Sequence, residues 1–220
     1  MENEDNESFR YLKDTGILVE HDGGTIYFSS PLAKRYNLAL IFPNRSQSYP
    51  SSLFALIKNV ISTMSANILQ KSTISGDFPN ESVFQHLFME GIALNTPPEC
   101  YICPQLSKIF PPNTNLSSHE AINGEAGFYL NGKMCWGVEL LVNGAGIEYH
   151  IPSFTPPKGK YAGLSVEDYV VVDFRRTTSG HATNIIRHAN RITVFFRTDD
   201  YSSVECIFGD EDGISLTLAA

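Results

Sequence analysis

An α/β (α+β) fold, a mixed sheet flanked by helices, is what this 220-residue sequence predicts, on three observations. Apolar residues recur at helical spacing between Leu53 and Ile68, and again between Val83 and Ile92. From about residue 124 the apolar period changes to two. The later runs GFYL, WGVELL, YVVVDF, RITVFF and SVECIF are rich in β-branched and aromatic residues. Helices first, then a hairpin, a buried strand and further strands is the order of a mixed fold.

The first fifty residues read as a small unit, an acidic leader followed by a partial winged-helix element. Phe9, Tyr11, Leu12 and Ile17 fit the end of a short helix. GILVEHDGGTIYF then predicts a β-hairpin turning at Asp22-Gly23-Gly24. In SSPLAKRY, Ser30 suits an N-cap and Pro31 the first helical position. A helix followed by a two-stranded wing matches the tail of a winged-helix module, with nothing before it to complete the module. One helix and one hairpin cannot bury a core, so this piece is expected to pack beside a larger domain over residues 51–220.

Polar residues and two prolines at 43–52 mark a linker. The spacing that follows predicts one amphipathic helix over 52–70 and a second over 81–93, capped by Asn80. Residues 95–115, with five prolines, predict an irregular excursion. Asn131-Gly132 between two strand-like runs is a strong hairpin signal. YVVVDF reads as a strand covered on both faces, and residues 181–190 as a short helix.

Composition narrows the function. Apolar residues make up 42% and charged residues 18%, which suits a packed core and excludes a solvating disordered chain. No apolar run approaches the ~20 residues that span a bilayer, and MENEDNES lacks the basic and apolar regions of a signal peptide. The net charge of −8 argues against nucleic acid, yet the acids cluster at residues 1–8 and 199–212. Between 158 and 197 bases exceed acids, so either a phosphate-binding face or a solvated mixed surface is open. Cys100 and Cys103 form a lone CxxC, two zinc ligands at most unless His86 and His119 complete a site. Cys135 and Cys206 read as buried thiols in a reducing compartment.

P-loop, dinucleotide, HExxH and GxSxG patterns are absent. The positive signal is the hairpin. Alternation puts Cys135, Gly137, Glu139 and Leu141 on one strand face, and Glu125, Gly127 and Tyr129 share a face of the preceding strand. A carboxylate in an apolar strand is costly unless paired, protonated or metal-bound. Glu139 and Glu125 converging from two strands are the candidate metal pair; the alternative is that Glu125 is solvated and Glu139 lies at an edge. Asp173 with Arg175 on the same strand reads as an internal ion pair, and Trp136 as a core anchor.

GFYLNGKMCWGVELLVNG, GIEYHIPSFTPPKGKY, DYVVVDFR and ITVFFRTDDYSSVECIFG, in that order, resemble the restriction-endonuclease-like carboxy-terminal region of Crinkler proteins of oomycetes and fungi. The similarity runs from about residue 16. The resemblance implies a PD-(D/E)XK nuclease fold with metal-binding acids on a central hairpin, behind the winged-helix tail of an upstream NTPase region. It further implies a secreted effector acting in the host nucleus on double-stranded DNA or a host protein, with no membrane partner.

The departures bear on activity. The family's metal-binding aspartate falls at Gly127, while its second acid matches Glu139. The superfamily lysine falls at Leu141, the arginine of the RF pair at Ser153, and the helix acid at Leu87 with Glu90 one turn on. An intact enzyme would hold Mg²⁺ with Glu139 and Glu125 and use His150 or Lys160 beside the phosphate. Lys158, Lys160, Arg175 and Arg176 would face nucleic acid. The resulting expectation is an effector domain with a degenerate metal site, acting through nucleic-acid or protein binding. The alternative is an active Mg²⁺-dependent DNA endonuclease hydrolysing phosphodiester bonds.

Overall fold

The computed structural model describes residues 10–11, 13–15, 18–21, 25–28, 37, 40–73, 78–104, 126–144, 147–157, 159–176, 187–196 and 200–220. The Asp22-Gly23-Gly24 turn, the Ser30-Pro31 helix start, His119, Glu125, Lys158 and most of the expected 181–190 helix lie outside them. The chain divides into two compact units, Met1–Arg45 and Ser46–Ala220.

In the first unit, β1 (Leu18–His21) and β2 (Thr25–Phe28) pair antiparallel, with Leu18 opposite Phe28 and His21 opposite Thr25. This is the expected hairpin. Residues 10–11 and 13–14 are helical.

The second unit opens with α1 (Leu53–Thr63), α2 (Ala66–Ser72) and α3 (Glu81–Asn95). Ser52 and Asn80 cap α1 and α3, their side-chain oxygens accepting from the N–H groups of Ala55 and Val83. The single helix expected over 52–70 is two. Met64 leaves the helix at ψ 131°, and Ser65 caps α2 by accepting from Ile68 N–H. The interruption has a cause: Ala219 donates to the Met64 carbonyl and accepts from Ala66 N–H, at 3.0 and 2.8 Å.

Seven strands follow in one mixed sheet, in sequence order: β3 (Ile102–Pro104), β4 (Ala126–Leu130), β5 (Trp136–Val142), β6 (Asp168–Arg176), β7 (Arg191–Phe196), β8 (Ser203–Phe208) and β9 (Ile214–Thr217). Neighbours are antiparallel except β5–β6 and β6–β7, which are parallel. β3 places a short strand inside the stretch expected to be irregular. Residues 187–190, inside the expected short helix, are not helical.

Five residues, Asn131–Cys135, join β4 to β5 rather than the two-residue turn that Asn-Gly suggests. Asn131 Oδ1 accepts from Gly132 N–H, and Gly132 (φ +89°) and Cys135 (φ +48°) take left-handed backbone. Met134, 3% exposed, is folded inward from this longer loop, and its burial favours that arrangement. Cys135 is half-buried in the turn, a correction to its reading as a buried strand thiol, whereas Cys206 is buried. Burial pushes the Cys206 thiol up to about 12.

One sheet face carries Phe128, Val138, Leu140, Val172, Phe174, Val194 and Phe196, and α1 and α3 pack on it. Phe84 of α3 stacks on Phe174 at 4.3 Å between ring centroids and lies 5.4 Å from Phe196, while Phe88 meets Phe128 at 5.6 Å. Leu56, Ile57, Val60 and Ile61 of α1 are fully buried. Gly91 of α3 lets the helices approach: a Cβ there would sit 2.8 Å from Val60 Cγ1. The opposite sheet face positions the site.

Candidate functional site

Register and alternation bring Gly127, Tyr129, Gly137, Glu139, Val171, Asp173, Arg175, Arg191 and Thr193 onto that second face. Gly127 stands directly opposite Glu139 on β4, and Val171 is its partner on β6. Between β5 and β6 the chain crosses this face through α4 (Ile147–His150), a 3₁₀ turn (Ile151–Phe154) and the loop to Leu164. Phe154 lies over Gly137, where any Cβ would overlap its ring. Phe154 also packs on Tyr161 and Tyr169, at 4.9 and 5.2 Å between centroids.

Beneath this covering sit Glu139, 0% exposed, and His150, 1% exposed, with Nδ1 3.0 Å from Oε1. Distance suits an ion pair, but the ring N–H does not align with the carboxylate as a full hydrogen bond. Burial holds the Glu139 carboxyl above its ordinary range, while His150 and the Ser153 hydroxyl pull it back down. Burial, and after it the nearby Glu139 charge, raises the Tyr161 phenol.

The second polar group is Asp173, fully buried in β6. Its Oδ2 accepts from Arg175 Nε and Arg191 Nη2, both at 2.6 Å. The predicted Asp173–Arg175 pair is therefore present, with a second guanidinium that sequence reasoning missed. Arg191 was legible only as the first residue of an apolar run; its partnership crosses two parallel strands. Gly144 (φ +66°) is also required here, since a Cβ would overlap the Arg175 guanidinium.

The remaining candidates scatter. Arg176 is exposed, and alternation turns it away from Arg175. It lies near Tyr201, where burial raises the phenol and Arg176 lowers it. Lys160 is partly buried in the crossing segment, which lowers its pKa, and its ammonium lies 5.4 Å from the Tyr161 ring centroid. Leu87 is buried in α3, on the side of the sheet away from Glu139, and Glu90 belongs to the same helix. Trp136 is half-buried at the start of β5 rather than a core anchor.

The donor set tests what the site can hold. Mg²⁺ takes about six oxygen ligands near 2.0–2.1 Å. Glu139 and His150 supply two donors, one of them nitrogen, and among the described residues no third His, Cys, Asp or Glu joins them. Asp173 is engaged by two arginines. The described residues do not fit a magnesium ion. The same is true of a zinc site at the CxxC pair. Glu139, His150 and Ser153 do not form a Ser–His–acid relay: His150 Nε2 has no hydrogen-bond partner among the described residues, and Ser153 Oγ donates to the Tyr149 carbonyl.

No family profile, curated protein or solved structure matches the chain. No helix among the described residues is long and apolar enough to cross a membrane.

Proposed function

We propose that residues 46–220 form a Crinkler-type, PD-(D/E)XK nuclease-like domain that does not cleave and acts as a protein-binding module. The observation that carries this reading is the pairing of Gly127 with Glu139. In the pattern this chain resembles, that position holds the first metal-binding carboxylate. Positioning and charge stabilisation are most of what a metal-dependent phosphodiesterase site contributes, and Glu139, without a second carboxylate beside it among the described residues, supplies little of either. The mixed sheet, with the retained acid on a hairpin, supports the fold assignment.

Electrostatics favours protein over nucleic acid as partner. This unit has 11 Lys and Arg against 17 Asp and Glu, a net charge of −6. Two of its arginines, Arg175 and Arg191, are spent on Asp173. A phosphate backbone is bound through unpaired bases, and this balance opposes it.

The test is a cleavage and binding assay on the full chain with duplex DNA, in Mg²⁺ and in Mn²⁺, beside Glu139→Gln. Neither cleavage nor saturable duplex binding is expected. Metal-dependent cleavage that disappears in Glu139→Gln overturns the reading in favour of an active DNA endonuclease.

A further inference from the structure

The segment 147–164 that crosses the Glu139 face holds itself together. Thr155 N–H donates to Pro152 O, Gly159 to Thr155, Tyr161 to Ser153, Ala162 to Gly159 and Leu164 to Tyr161, at 2.7–3.0 Å. Gly159 permits the fold-back, since a Cβ would lie 2.5 Å from the Pro152 and Ser153 carbonyl oxygens. Its attachments to the sheet run instead through side chains. Phe154 covers Gly137, Ile147 packs with Leu141 and Val171, and Tyr161 packs with Tyr129 and Phe154. Backbone bonds made within the segment can survive its departure from the sheet, so leaving does not strand the groups that form them.

Within this apolar attachment the described residues form one acid–base contact, Glu139 with His150, with the Tyr161 phenol nearby. Such a pair adds little net stability while intact, but removing one partner leaves a buried charge without compensation. Around Glu139 the other described neighbours are the Ser153 hydroxyl and Tyr161 from the segment, Val171 from β6 and Gly127 from β4. None carries a positive charge. His150 is the basic side chain seen at ion-pair distance from the carboxylate.

We propose that residues 147–157 and 159–164 move as one strap that opens and closes over this face, latched by Glu139 and His150. When the imidazole is lost, hydration of the stranded carboxylate drives the strap open. The latch rests on the strap's own geometry and stands whether or not the nuclease reading does.

Hydrogen–deuterium exchange on the full chain tests it, comparing the native protein with His150→Ala and with Glu139→Gln/His150→Ala. In His150→Ala, the amides of Thr155, Gly159, Tyr161, Ala162 and Leu164 should exchange faster by on the order of tenfold, with β6 and β7 unchanged. Protection should return in the double variant, because no charge is left to hydrate. Native-like exchange in His150→Ala overturns the proposal. So does a double variant as fast as the single one, since that assigns the effect to lost imidazole volume. Should His150→Ala unfold the chain, recovery of the fold in the double variant supports the latch, and failure to recover overturns it.

Discussion

Gly127 and Glu139 face one another directly across the β4–β5 ladder, so the backbone position nearest the buried carboxylate carries no side chain. Opposed Cβ positions in an antiparallel pair lie ~4.5–5.5 Å apart, close enough for two carboxylates to share one cation. Gly127→Asp should therefore melt below the native protein without metal, because two like charges meet in a covered site. Mg²⁺ should recover part of that loss by binding the folded state. The native chain should show no Mg²⁺-dependent shift. Thermal melts with and without Mg²⁺ decide it, and equal metal stabilisation of both chains would count against this account of the site.

Asp173 supports two guanidinium groups that differ in burial, and the difference sets an order of effects. Arg191 is 3% exposed and the Arg175 side chain 30%. Asp173→Asn removes the fully buried carboxylate that both guanidinium groups share, the nearly buried Arg191 among them, and should cost about 3–5 kcal/mol. Arg175→Met removes a contact that water partly screens and should cost about 1 kcal/mol or less. Urea unfolding of both variants measures the two values. A larger loss in Arg175→Met than in Asp173→Asn would invert the argument.

Glu139 was readable as a site residue because it is the one acid inside an otherwise apolar strand, a placement that demands a partner. Asp173 and Arg175 were readable for the same reason, lying two residues apart on a single strand. His150 was named as a candidate, but its distance from Glu139 was not legible, since it depends on how the segment after β5 folds back. Arg191 was missed because its partner lies 18 residues away and on another strand. The break at Met64 was hidden too: the helical period continues through Ile68, and the interruption comes from pairing with Ala219 at the far end of the chain. Local pattern gave the elements, while the contacts that close the site are long-range.

Burial, the largest influence on Glu139, raises its carboxyl above the ordinary value of 4.5. A group whose pKa is raised by folding contributes stability below its unfolded pKa, and that contribution is lost as pH rises through the folded value. The window therefore opens near 4.5 and extends upward. Across it, the native chain should lose stability relative to Glu139→Gln. Urea unfolding of both proteins over a pH series measures the difference. A stability gap that moves in favour of the native chain as pH rises would mean that His150 outweighs burial, and the assignment of cause would be wrong.

At Gly137 the crossing segment lies directly against the sheet. It has ordinary strand backbone and lies opposite Tyr129, so no turn demands a glycine there. What demands it is Phe154, whose ring occupies the space a Cβ would take. Gly137→Ala must therefore push Phe154 off the sheet or strain the strand, a change typical of overpacking at about 1–3 kcal/mol. Phe154→Ala should cost more, about 3–5 kcal/mol, through lost burial against Tyr161 and Tyr169. The two changes act through one contact and should not add. Once the ring is gone, the alanine methyl at 137 has room, so Gly137→Ala/Phe154→Ala should be no less stable than Phe154→Ala alone. A double-mutant cycle in urea reads the coupling directly, and simple additivity would show that Gly137 is glycine for some reason other than the ring above it.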